Sequence, residues 1–138
     1  MKKDSLLPEL PLQEWENTKM TLHLILQIMG KVRLKRTLRK NHWWFITLYV
    51  SPKGFTTTSM PCQHEFNVFE ITLNVHLNQI ELTSSLNEQR AISVYDGRTI
   101  SSFYKEFTQC LKEINIIPDI NDRPIDLGID TRFSWITE

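Results

Sequence analysis

His23, Gln27 and Lys31 stand four residues apart on an apolar segment, Thr21-Leu22-His23-Leu24-Ile25-Leu26-Gln27-Ile28-Met29-Gly30-Lys31. In a helix that spacing sets three polar heads in one line. Asn41-His42-Trp43-Trp44 follows and opens the most strand-like segment of the chain. His23, Gln27, Lys31, Asn41, His42 and Trp43 are therefore the candidate ligand-binding residues. Lys31 would supply charge for an anion, while Gln27 and Asn41 would supply directed hydrogen bonds. Either histidine can act as a general acid or base near neutral pH. Trp43 or Trp44 can wall a flat ligand. The structural alternative makes His23 and Gln27 hydrogen-bonded core residues and lets Asn41-His42 simply shape the strand entry.

Charge is zero overall but unevenly spread. Residues 1–60 carry ten Lys/Arg against four Asp/Glu, and residues 61–138 carry six against twelve. Lys31, Arg33, Lys35, Arg36, Arg39 and Lys40 crowd into ten positions. Followed by Trp43, Trp44 and Phe45, the basic run Arg33, Lys35, Arg36, Arg39 and Lys40 could meet phosphates beside stacking aromatics, as single-strand nucleic-acid platforms do. The same run also suits a solvated helix end, where cations favour the dipole by roughly 0.3–1 kcal/mol each. Neutral total charge ranks nucleic acid behind a small anionic ligand as the partner.

Other chemistries find little support. His23, His42, His64 and His76 are widely spaced, with no HxxxH or HExxH, so no metal site is expected. Cys62 follows Pro61 and precedes His64, but no nucleophile-elbow motif frames it. Without GxGxxG or a Walker motif, no nucleotide cofactor is called for. Cys62 and Cys110 form no CxxC or Cys/His cluster, which suits a reduced, cytoplasmic chain. Asp4, Pro8, Glu9 and Pro11 leave no apolar signal region, and Leu22 to Met29 is too short to span a bilayer, so no membrane association is expected.

The elements that must position these residues can be read from periodicity. Residues 1–12 form an extended lead-in, and a helix runs from Leu12 or Thr18 to about Leu38. Its apolar positions are Trp15, Leu22, Ile25, Leu26, Met29 and Val32. Gly30 marks a bend or a close backbone contact. Residues 43–50 predict a strand, Ser51-Pro52-Lys53-Gly54 a turn, and residues 55–60 the returning strand. Phe69, Ile71, Leu73, Val75 and Leu77 alternate with polar residues, predicting a third strand. A strand over residues 80–83 closes a second hairpin, and residues 90–94 add a fifth. Thr99 or Ser101 caps a helix with apolar positions Ile100, Phe103, Phe107, Cys110, Leu111 and Ile114. Residues 115–138 form a largely irregular tail. At this length the chain is one domain over 1–138, burying about two thirds of its unfolded surface. The fold class is α+β: an antiparallel sheet of four to five strands built from two hairpins, with an N-terminal and a C-terminal helix packed on one face.

Thr21-Leu22-His23, Gln27-Ile28, Gly30-Lys31-Val32-Arg33, Asn41-His42-Trp43-Trp44, Leu48-Tyr49-Val50 and Gly54-Phe55-Thr56-Thr57 occur in that order. The pattern resembles the N-terminal signature of the Domain of Unknown Function 5996 family, mostly bacterial proteins without an assigned activity. Phe69-Glu70-Ile71 and Ser101-Ser102-Phe103-Tyr104 extend the resemblance to about residue 114. It implies no catalytic residue. Members usually continue into a second half, so a protein partner or missing C-terminal half is implied as a candidate to complete a shared site.

The expected protein is thus a cytoplasmic α+β domain with a small-molecule or anion pocket between the first helix and the first strand. The alternatives are a nucleic-acid surface at residues 31–45 and a protein-interaction domain. The latter would use the face bearing Glu70, Thr72, Asn74 and His76. Enzymatic activity stays open at this level.

Overall fold

The computed structural model describes residues 8–37, 42, 47–62, 67–95, 97–117, 119, 120, 122, 123 and 132. Among the described residues a long helix α1 (Leu12–Arg36) leads into six strands and a closing helix. The strands are β1 (Tyr49–Ser51), β2 (Gly54–Thr56), β3 (Met60–Pro61), β4 (Val68–Asn74), β5 (Gln79–Ser84) and β6 (Gln89–Ser93), and the closing helix is α2 (Ile100–Glu113). All pairings are antiparallel, in the order β1-β2-β4-β5-β6, with β3 also paired to β4. The expected α+β class is the observed one.

Register explains the core. Ile71 faces Leu82, Leu73 faces both Phe55 and Ile80, Ile80 faces Ile92, and Met60 faces Phe69. Directly opposed residues share a sheet face, so these apolar side chains form one surface. Leu24, Ile25, Ile28, Met29 and Val32 of α1 join it, as do Ile100, Phe103, Phe107 and Leu111 of α2. Each such side chain fully removed from water stabilises the fold by roughly 1.5–3 kcal/mol. Thr99 starts α2, its hydroxyl accepting from the Ser102 N–H as an N-cap.

The third strand ends earlier than its alternation predicts. β4 stops at Asn74, and Val75 and Leu77 are exposed in the turn to β5. The Asn74 carboxamide oxygen accepts from the N–H groups of His76 and Leu77, both at 3.1 Å, which bends the chain out of the ladder. His76 therefore stands in a turn and not on the strand face with Glu70, Thr72 and Asn74.

The expected strand over 55–60 is likewise interrupted. β2 ends at Thr56, and pairing resumes only at Met60. Between them Thr58 takes a left-handed φ of 58°. The Thr57 N–H still donates to the Ile71 carbonyl at 3.0 Å, but the Ile71 N–H donates to the Thr57 hydroxyl at 3.1 Å. A side chain thus replaces a backbone carbonyl in the ladder, as in a bulge.

Gly30 causes no bend. A side chain added there would meet nothing within 4 Å, and the non-helical residue inside α1 is Trp15 (φ −126°, ψ 17°). Trp15 is only half-buried, and its neighbours in the first turns are exposed, so the working face of α1 starts near Thr21. Residues 43–46 lie outside the described residues, and the first described strand residue is Tyr49.

Candidate functional site

The line His23, Gln27, Lys31 spirals from water into the protein. His23 is exposed, Gln27 half-buried, and Lys31 only 8% exposed. At 3.6 residues per turn each four-residue step overshoots by about 40°, so His23 and Lys31 differ by about 80° around the helix. Gln27 and Lys31 remain neighbours on one face, and His23 diverges toward solvent.

Lys31 of α1 and Tyr104 of α2 both feel the charge of Asp122. Burial pushes the Lys31 ammonium below the ordinary lysine range, and Asp122 pulls in the opposite direction. Burial raises the phenol of Tyr104 on α2, and the same Asp122 raises it further. Asp122 therefore acts on a base from α1 and a phenol from α2 at once. Tyr104 closes the Ser101-Ser102-Phe103-Tyr104 segment that extends the family resemblance, but no chemical motif marks it or Asp122. The available sign was a tyrosine beside the apolar face of α2, whose hydroxyl needs a polar neighbour when buried.

Arg33, two residues beyond Lys31, is 5% exposed. It donates to the Thr57 carbonyl, and its guanidinium lies 5.4 Å from the centre of the Tyr49 ring. Among the described residues no carboxylate forms an ion pair with Arg33. Lys35 lies 4.0 Å from Asp119, and Arg36 donates to the Ile117 carbonyl. His42 is exposed, with a left-handed φ of 59°. Asn41, Trp43, Trp44, Arg39 and Lys40 lie outside the described residues.

The polar side chains of the sheet are tied to one another. The Thr56 hydroxyl donates to Glu70. Glu81 accepts from the Asn74 amide at 2.8 Å and the Gln79 amide at 3.0 Å, and Lys53 lies 3.5 Å away. Burial alone would raise the Glu81 carboxyl, yet these bonds and the Lys53 charge together bring it below its ordinary value.

Burial raises the thiols of both Cys62 and Cys110, which disfavours the reactive thiolate. Among the described residues no group of three or more His, Cys, Asp or Glu side chains could hold a metal, and no helix is long and apolar enough to cross a membrane.

No curated protein and no solved structure matches the chain. A protein-family model does, continuing past the N-terminal signature into the segment that carries Asp122. With residues 7–138 matched, the chain belongs to the family of unknown function DUF5996.

Proposed function

We propose that this protein is a small-molecule-binding domain whose ligand is a small anion, held beside Lys31 with Gln27 as its hydrogen-bonding neighbour. His42 and the sequence-expected Asn41 and Trp43 are further candidate ligand contacts, and His23 lies on the solvent-exposed side of α1. The observation that carries this reading is the buried guanidinium of Arg33, two residues from Lys31 on α1 and only 5% exposed. Among the described residues no carboxylate pairs with it, and its Nε–H has no hydrogen-bond partner. Buried charges are normally compensated, and a small anion would do so here. Its setting is the cytoplasm of a bacterium, in keeping with the cysteine usage and the family's membership.

The nucleic-acid reading is weaker on geometry. Arg33 is turned inward to Thr57, Arg36 is bonded to Ile117 and Lys35 is close to Asp119, which leaves no continuous basic strip over residues 33–36.

Titration with inorganic phosphate, followed in amide NMR spectra, tests the proposal. Saturable shifts are expected at Gln27, Lys31 and Tyr104. Lys31→Met should weaken binding by at least about tenfold while leaving the fold intact, because replacing a buried ion by an apolar side chain is often neutral or stabilising. Unchanged phosphate binding in Lys31→Met would refute it.

A further inference from the structure

A concavity opens away from Lys31. It has a volume of about 590 Å³ and lies between the N-terminal half of α1, the turn after β4 and the segment joining β6 to α2. Leu22 and Ile25 of α1, Leu73 of β4 and Val94 beyond β6 form an apolar wall. Thr18, Thr21 and Asn78 place hydroxyl and amide groups around it. This combination of size, apolar lining and a few polar groups is that of small-molecule pockets.

Arg98 decides what charge the ligand can carry. It lines the cleft with its side chain only 8% exposed. The guanidinium donates to the Ser93 carbonyl at 2.8 Å, to the Ser102 carbonyl at 3.2 Å and to the Glu106 carboxylate. It also lies 5.5 Å from the Tyr95 ring centre and 5.9 Å from that of Phe103. Its positive charge is therefore answered by Glu106, and among the described residues no other charged side chain lines the cleft. The buried Nε–H has no hydrogen-bond partner. A leftover buried donor costs about 1–3 kcal/mol, so a ligand acceptor that met it would gain binding energy.

We infer that this cleft is a binding site for an uncharged small molecule with an apolar body and a carbonyl-type acceptor. The body lies against Leu22, Ile25, Leu73 and Val94. The acceptor sits beside Arg98, with Thr21 and Asn78 available for further polar groups. An anion is disfavoured because Glu106 already neutralises the nearby cation. This site is separate from the one proposed around Lys31, and either can stand without the other.

Acetanilide is a suitable probe, with ethylbenzene lacking the acceptor and phenylacetate carrying a negative charge as comparisons. In amide NMR spectra, acetanilide should give saturable shifts at Thr21, Asn78, Val94, Tyr95 and Arg98 and leave Lys31 undisturbed. It should bind the cleft up to about tenfold more tightly than either comparison, the worth of one added hydrogen bond. Thr18→Trp, at an exposed helix position, and Thr21→Trp should fill the cleft and remove these shifts. Folding of both variants is checked by the unchanged signals of the β4 and β5 core. Failure of acetanilide to produce saturable shifts there, equal binding of phenylacetate, or shifts that survive both Trp variants would overturn the inference.

Discussion

Arg33 reaches from the last turns of α1 to donate to the backbone carbonyl of Thr57, the residue at which the β2–β4 ladder breaks. The two features are complementary. The Thr57 hydroxyl takes the Ile71 N–H, which frees the Thr57 carbonyl to face α1. Arg33→Met should leave that carbonyl buried without its charged donor and destabilise the protein by about 1–3 kcal/mol, read as a lower urea midpoint. Arg33→Lys should recover only part of the loss, since an ammonium lacks the planar face set against Tyr49. An unchanged midpoint in Arg33→Met would show that water replaces the bond without cost.

Lys31 should make stability depend on pH in a defined direction. Burial places its folded-state value below the unfolded one. Between the two values the unfolded chain binds more protons, so stability rises with pH across that window, up to about 10.4. Below the window the charged lysine carries a constant burial cost. Lys31→Met should therefore be at least as stable as the parent at neutral pH, and its advantage should shrink as pH rises through the window. A stability difference that stays flat with pH would contradict this assignment.

The elements that sequence displayed clearly are those with one dominant periodicity. Ile100, Phe103, Phe107, Cys110, Leu111 and Ile114 follow helical spacing, and all six are buried. Phe69, Ile71 and Leu73 follow strand spacing and are buried too, but Val75 and Leu77 continue the same alternation in exposed positions. The Asn74 side chain ends the strand there, and a binary pattern of apolar and polar residues does not contain that local competition. The Thr56-Thr57-Thr58 run gave no sign of a bulge, because the decisive partner, Arg33, comes from a distant helix. In the candidate site, the shared face of Gln27 and Lys31 was legible from spacing. The inward drift past His23 and the arrival of Tyr104 and Asp122 depend on tertiary placement.

Two glycines should respond oppositely to alanine. Gly30 lies inside α1 with open space around its Cα, so Gly30→Ala should stabilise the protein by about 0.5–1 kcal/mol through lower unfolded-state entropy. Gly54 has φ 142°, and a methyl there would collide with the Leu73 carbonyl oxygen. Gly54→Ala should destabilise by more than about 1 kcal/mol, because neither the conformation nor the space admits a side chain. Calorimetric melting of both variants checks the pair, and a stabilised Gly54→Ala would mean that the β1–β2 hairpin has another geometry.

Glu81 should govern part of the acid limb of stability. Its carboxyl is held below the ordinary range despite burial, by Asn74, Gln79 and Lys53. A depressed carboxylate stabilises the fold above its unfolded value near 4.3, and that contribution fades as pH falls through the lower folded value. Glu81→Gln should cost about 1–2 kcal/mol at neutral pH, where the charge-assisted bonds are lost, and converge toward the parent in strong acid. Because the same Asn74 amide bonds Glu81 while its oxygen fixes the turn through His76 and Leu77, the variant should also loosen that turn. Faster amide exchange at His76 and Leu77 in Glu81→Gln would reveal this coupling directly. Unaltered exchange would confine the effect of Glu81 to the sheet face and leave the turn held by the Asn74 oxygen alone.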